Sequence, residues 1–110
     1  MLEDFTYATF AGHLGDMFRV HAGLADVVAL ELIQATDLGS RSDAAGGAEG
    51  VPGQGERFAI TFQGPHDRPL LQGTYQFEHD QIGSFPLFIV PVGSASGGIQ
   101  YEAVFNRLPH

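Results

Sequence analysis

Three stretches in the second half of the chain alternate apolar and polar residues with a period of two, and no other feature restricts the fold as tightly. Arg57–Gln63 sets Phe58, Ile60 and Phe62 on one side; Gly73–His79 sets Tyr75 and Phe77 against Thr74, Gln76 and Glu78; Ile99–Asn106 sets Ile99, Tyr101, Ala103 and Phe105 together. Successive side chains of a strand point to opposite faces, so each stretch reads as a strand with one face made for a core. Gly64-Pro65 through Pro69, Asp80–Gly83 and Gly93–Gly98 supply the Gly and Pro that turn a chain between strands. Parallel neighbours need crossovers of about a dozen residues or more, and these connections are too short, so the strands pair antiparallel.

The first half adds a short helix and two more strands. Thr6 can cap the helix, Phe5 ahead of the cap can pack on Phe10, and Gly12 and Gly15 stop it. A helix this short has little stability alone and must dock, for which one end of a barrel or sheet is the natural place. Asp16–His21 then turns Phe18 and Val20 to one face, Ala22–Asp26 is a turn, and Val27–Thr36 points Val28, Leu30 and Leu32 one way. Ala, Leu, Glu and Gln would also suit a helix over Val27–Thr36, but Val27-Val28 and the flanking turns favour a strand. Six short strands with one apolar face each must close on themselves or stack in two layers. The expectation is one all-β domain over residues 1–110, a small antiparallel six-stranded barrel or β-roll with a short N-terminal helix. At 110 residues such a domain buries roughly 65% of its unfolded surface, enough for a core without staples.

Two segments stand apart. Residues 38–55 hold six glycines, at 39, 46, 47, 50, 53 and 55, which predicts a flexible hairpin connection in place of any regular element. A binding loop is the other reading of that segment. Phe85–Val92 is apolar on both faces, with Phe85, Leu87 and Ile89 on one and Phe88, Val90 and Val92 on the other. Pro86 and Pro91 remove two ladder donors, which predicts an edge strand. Its outer apolar face is then either covered by the N-terminal helix or offered to another chain.

Composition narrows the chemistry. Five Arg, no Lys and thirteen acidic residues give a formal net charge of −8, against nucleic-acid phosphates and anionic membranes as partners. With no Cys there is no disulfide, thiolate ligand or thiol nucleophile. The histidines at 13, 21, 66, 79 and 110 show none of the spacings that place two metal ligands on one element. A site built from His21, His79 and a carboxylate is conceivable, but solvated or turn-capping histidines are the expectation. No G-x-S-x-G elbow or phosphate loop is present, and the serines at 40, 42, 84, 94 and 96 fall in Gly-rich turns. The expectation is a protein without catalytic residues, metal or cofactor. Met1-Leu-Glu-Asp4 does not open like a secretory signal, so the protein is expected in the cytoplasm or exported by a route without one.

Four segments carry a resemblance when taken together: Phe5-Thr-Tyr-Ala-Thr-Phe-Ala-Gly-His-Leu-Gly15, Gln72-Gly-Thr-Tyr75, Leu87-Phe-Ile-Val-Pro-Val-Gly93 and Tyr101-Glu-Ala-Val-Phe-Asn106. In them the chain resembles an uncharacterised family of small bacterial proteins often encoded near phage-tail-collar (microcystin-dependent) proteins. That resemblance implies a subunit, cap or assembly partner of such fibre components, and the doubly apolar strand leads to the expectation of a non-catalytic structural or interaction module that self-associates or docks on a tail-collar-type partner. The expected interface is Phe5, Phe10, Phe85, Leu87, Phe88, Val90 and Val92. The alternative is a small-ligand-binding barrel, with Tyr75, Phe77 and Tyr101 lining a pocket.

Overall fold

The computed structural model describes residues 6–40 and 56–107. In chain order it consists of helix α1 (Tyr7–Ala11) and strands β1 (Met17–His21), β2 (Val27–Ser40), β3 (Glu56–Gly64), β4 (Gly73–His79), β5 (Gly83–Ala95) and β6 (Gly98–Arg107). The strands form a closed antiparallel ring in the order β1-β2-β3-β6-β5-β4. Register follows the apolar pattern: Phe58 opposes Phe105, Ile60 opposes Ala103 and Phe62 opposes Tyr101 across β3–β6, while Val20 opposes Phe77 across β1–β4. A slip of one residue in either ladder would turn these side chains outward.

The inward residues fill the ring. Phe18, Val20, Leu30, Leu32, Phe58, Ile60, Phe62, Phe77, Ile89 and Tyr101 are fully buried. Each end needs its own closure. At the upper end α1 is held by a reciprocal Thr pair: the Thr9 N–H donates to Thr6 Oγ1 at 3.3 Å, and the Thr6 N–H donates to Thr9 Oγ1 at 3.1 Å. Thr9 occupies the place usually taken by Glu or Gln in a capping box. The helix drops Phe10 among Phe105, Phe58 and Phe85, with ring centroids 5.3, 6.1 and 6.3 Å away. At the lower end the β3–β4 connection lays Leu70 over the core. Its backbone N–H donates to the buried Tyr101 hydroxyl at 2.9 Å. That bond gives the buried phenol oxygen a donor that it would be costly to lack.

Two expectations change. The glycine-rich connection does not begin at residue 38, because β2 runs on to Ser40, opposite Glu56. The ladder tolerates Gly39 by bulging between Asp37 and Gly39, as it also does between Leu32 and Gln34. Residues 41–55 lie outside the described residues. Nor is β5 an edge strand, since β4 and β6 flank it. It changes neighbour midway, pairing with β4 over Gly83–Ile89 and with β6 over Val90–Ala95. Pro86 therefore has a ladder partner only on the β4 side (Gln76), and Pro91 only on the β6 side (Tyr101). Each missing N–H can face the side without a ladder, which is how a strand inside a ring accommodates two prolines.

Phe10→Ala should open a cavity at the upper end and cost about 3–5 kcal/mol in urea unfolding, whereas Phe88→Ala on the outer face should stay within about 1 kcal/mol.

Candidate functional site

The outer face of β5 keeps the alternation read from the sequence as far as Val90. Phe85, Leu87 and Ile89 point into the core, and Phe88 and Val92 stand outward at 49% and 52% exposure, with Val90 partly covered. Val92 is the extra residue of a bulge, because Pro91 opposes Tyr101 and Gly93 opposes Gln100. The β5–β6 ladder starts at Val90–Glu102, and two residues beyond it on each strand come Phe88 and Val104. Val104 is 58% exposed. Partners in an antiparallel ladder share a face, so Thr74 stands beside Phe88 and Glu102 beside Val90, polar groups set among the apolar ones.

Of the residues expected at an interface, Phe10, Phe85 and Leu87 are buried in the core. Phe5 lies outside the described residues. Phe88, Val90 and Val92 remain on the outer face. Helix α1 does not cover them, because its docking side chain, Phe10, enters the ring. Val104 went unnoticed in the sequence although it interrupts the polar series begun by Gln100 and Glu102 on alternate positions of its strand.

A second cluster sits at the upper rim. Asp16, just before β1, accepts at Oδ2 from His13 Nδ1 and from His79 Nε2, both at 2.9 Å. His79, at 7% exposure the one buried polar or charged residue among those described, lies 4.5 Å from the Phe18 ring and 4.7 Å from that of His13. Its Nδ1 accepts from the backbone N–H groups of Gln81 at 3.0 Å and Ile82 at 3.2 Å. Nδ1 therefore holds a lone pair and Nε2 carries the proton that Asp16 receives. The hydrogen bond from His79, then that from His13, holds the Asp16 carboxyl below the usual aspartate value.

His13, Asp16 and His79 bring three potential ligand atoms within 4.8 Å of one another. A ligating histidine normally donates its second N–H to an acceptor. Here the second nitrogen of His79 faces two donors, so a cation at Nε2 would force a proton onto Nδ1 against them. The donor set suits a hydrogen-bonded staple better than a metal. The pairing conceived from sequence, His21 with His79, does not form. His21 instead lies 3.2 Å from Glu78 Oε1 on the outside of the ring. Only the three-residue spacing of His13 and Asp16 was visible in the sequence, since His79 arrives from 63 positions away.

Outside β1 and β4, Arg19 bridges Glu78 at 3.5 Å and Asp80 at 3.1 Å. The hydrogen bond from His21, together with that from Arg19, lowers the Glu78 carboxyl. This network follows from the Arg19–Glu78 ladder pair, and it offsets part of the charge on an acidic rim. At the lower rim, Arg68 pairs with Asp26 beside a depression lined by Val28, Leu70, Leu71 and Tyr75. Tyr75 donates its hydroxyl proton to the Leu71 carbonyl at 2.7 Å. Of the residues imagined to line a ligand pocket, Phe77 and Tyr101 are fully buried in the packed core, so a ligand would find room at this rim and not inside the ring. Among the described residues no helix is long and apolar enough to cross a membrane.

Comparison with protein families matches residues 5–105 to a family described as a domain of unknown function, DUF6916. No curated protein and no solved structure matches the chain.

Because the folded Asp16 carboxyl is more acidic than the unfolded one, its bonds stabilise the protein above the unfolded value and are lost as pH falls through the folded one. The stability difference between the wild type and Asp16→Asn, taken from urea midpoints against pH, should therefore shrink below about pH 4.

Proposed function

The chain belongs to this family of unknown function, and from that premise we propose that it is a non-catalytic interaction module that meets its partner through the outer face of β5 and the adjoining part of β6. The observation that carries this reading is the exposure of Phe88, Val92 and Val104 on neighbouring strands of a ring whose interior is filled. Single exposed apolar residues are ordinary on soluble proteins. Phe88 and Val92 on β5 and Val104 on β6, with Thr74 beside Phe88 and Glu102 beside Val90 interspersed, give this stretch of the exterior the mixed apolar and polar make-up of an interface. The scaffold beneath is rigid, because the inward residues of the same two strands, Leu87, Ile89, Tyr101 and Ala103, are locked in the core.

The occupant we favour is a second copy of this chain, which would bring the same apolar surface and close it by two-fold symmetry. A tail-collar-type fibre or appendage component is the other candidate, suggested by the resemblance to bacterial proteins encoded beside such genes. A charge of −8 per chain opposes self-association at low ionic strength, so assembly of two copies should strengthen with salt.

Light scattering on the wild type at physiological salt should give a mass above the 11.8 kDa monomer. Phe88→Asp with Val104→Asp should return a folded monomer with the wild-type circular dichroism spectrum. A wild-type monomer that binds a tail-collar component through the same two residues would identify the second partner. An assembly untouched by both charges would place the interface elsewhere.

A further inference from the structure

His79 joins two pieces of backbone through its two nitrogens, and the way it does so makes the joint sensitive to acid. On one side lies the β4–β5 turn, whose Gln81 and Ile82 N–H groups donate to Nδ1. On the other lies the connection from α1 to β1, which receives the Nε2 proton at Asp16. That connection is itself fixed to β2: Gly15 N–H donates to the Leu32 carbonyl at 2.7 Å, and Leu32 N–H donates to the Asp16 carbonyl at 3.0 Å. Ile82 packs against the core, and Phe85, three residues on, is one of the rings that seat Phe10. The imidazole thus ties the turn to the structure that holds the helix plug.

We propose that His79 is an acid-operated latch at the upper end of the ring, closed while its ring is neutral and opened toward the β4–β5 turn when the ring takes a second proton. That proton has one place to go, Nδ1, where it meets two backbone N–H groups instead of an acceptor. The imidazolium keeps its Nε2–H bond to Asp16, now as an ion pair, and gives up the turn. His13 behaves in the opposite way. Its Nδ1 already faces Asp16 at 2.9 Å, so protonation at Nε2 strengthens that contact and breaks nothing. The other charged groups around His79 are Arg19 on β1 and Asp80 in the turn, which pair with each other at 3.1 Å. Asp16 accepts from His79 at 2.9 Å, and the hydrogen bonds from His79 and then His13 hold its carboxyl below the usual aspartate value. The latch is independent of the outer apolar surface, since its residues lie at the rim and not on the outer face of β5.

Long-range proton–nitrogen spectra of the histidine side chains, with amide hydrogen exchange on the same samples, test this. At neutral pH His79 should show the Nε2–H tautomer. As it gains its proton, protection of the Gln81 and Ile82 amides, corrected for intrinsic exchange, should fall about tenfold while the β3–β6 ladder stays protected. His79→Asn offers its Oδ1 to the same two N–H groups but does not titrate, so its turn should lose that pH dependence. His13→Asn should keep it. An Nδ1–H tautomer at neutral pH, turn protection unchanged across the His79 titration, or a His79 that gains its proton only on global unfolding would each overturn the proposal.

Discussion

A ring of six strands leaves two ends open, and this fold depends on how they are filled. The upper end is closed by Phe10, a helix residue placed among the strand residues Phe58, Phe85 and Phe105. The lower end is closed by Leu70, whose backbone satisfies the Tyr101 hydroxyl. A six-stranded ring is narrow enough for its own side chains to occupy the interior. Once Phe58 and Phe105 stack at 4.6 Å and the two plugs are seated, the interior has become core and functional contacts are left to the outside. The helix needs little intrinsic stability in this arrangement, because the ring supplies what five residues cannot.

The exterior divides into surfaces of different character. Outside β1 and β4 the charged groups are internally paired, with Arg19 set between Glu78 and Asp80 and His21 against Glu78, beside the exposed Met17. The outside of β5 and β6 is apolar at Phe88, Val92 and Val104, with polar groups set among them. This contrast between two faces of one ring is the ground for proposing the second as the place of contact. The upper rim adds a separate element, a buried histidine held between a turn and a carboxylate close to the helix plug.

Much of the fold was legible because period-two alternation encodes face and register together. Phe58, Ile60, Phe62, Phe77, Tyr101 and Phe105 fell inward as their spacing required. Two features were not legible, for definite reasons. Pro86 and Pro91 signal a side of the strand without a ladder, but a strand that changes neighbour at Val90 provides such a side within a closed ring. Gly39 signals a loop, but a bulge in a long hairpin absorbs it. The histidine cluster was hidden because its decisive member comes from the end of β4, which the ring closes against β1. Val104 was visible in principle, as an apolar residue on the polar side of its strand.

We propose that this protein meets its partner, a second copy first of all, on the outer face of β5 and β6. Amide hydrogen exchange of the wild type, followed from dilute to concentrated solution, tests it most directly. Protection that rises with concentration over residues 86–92 and 102–105, and not over the lower rim at 65–72, is the result the account predicts. Protection that is independent of concentration over those strands, or that rises only at another face, would contradict it.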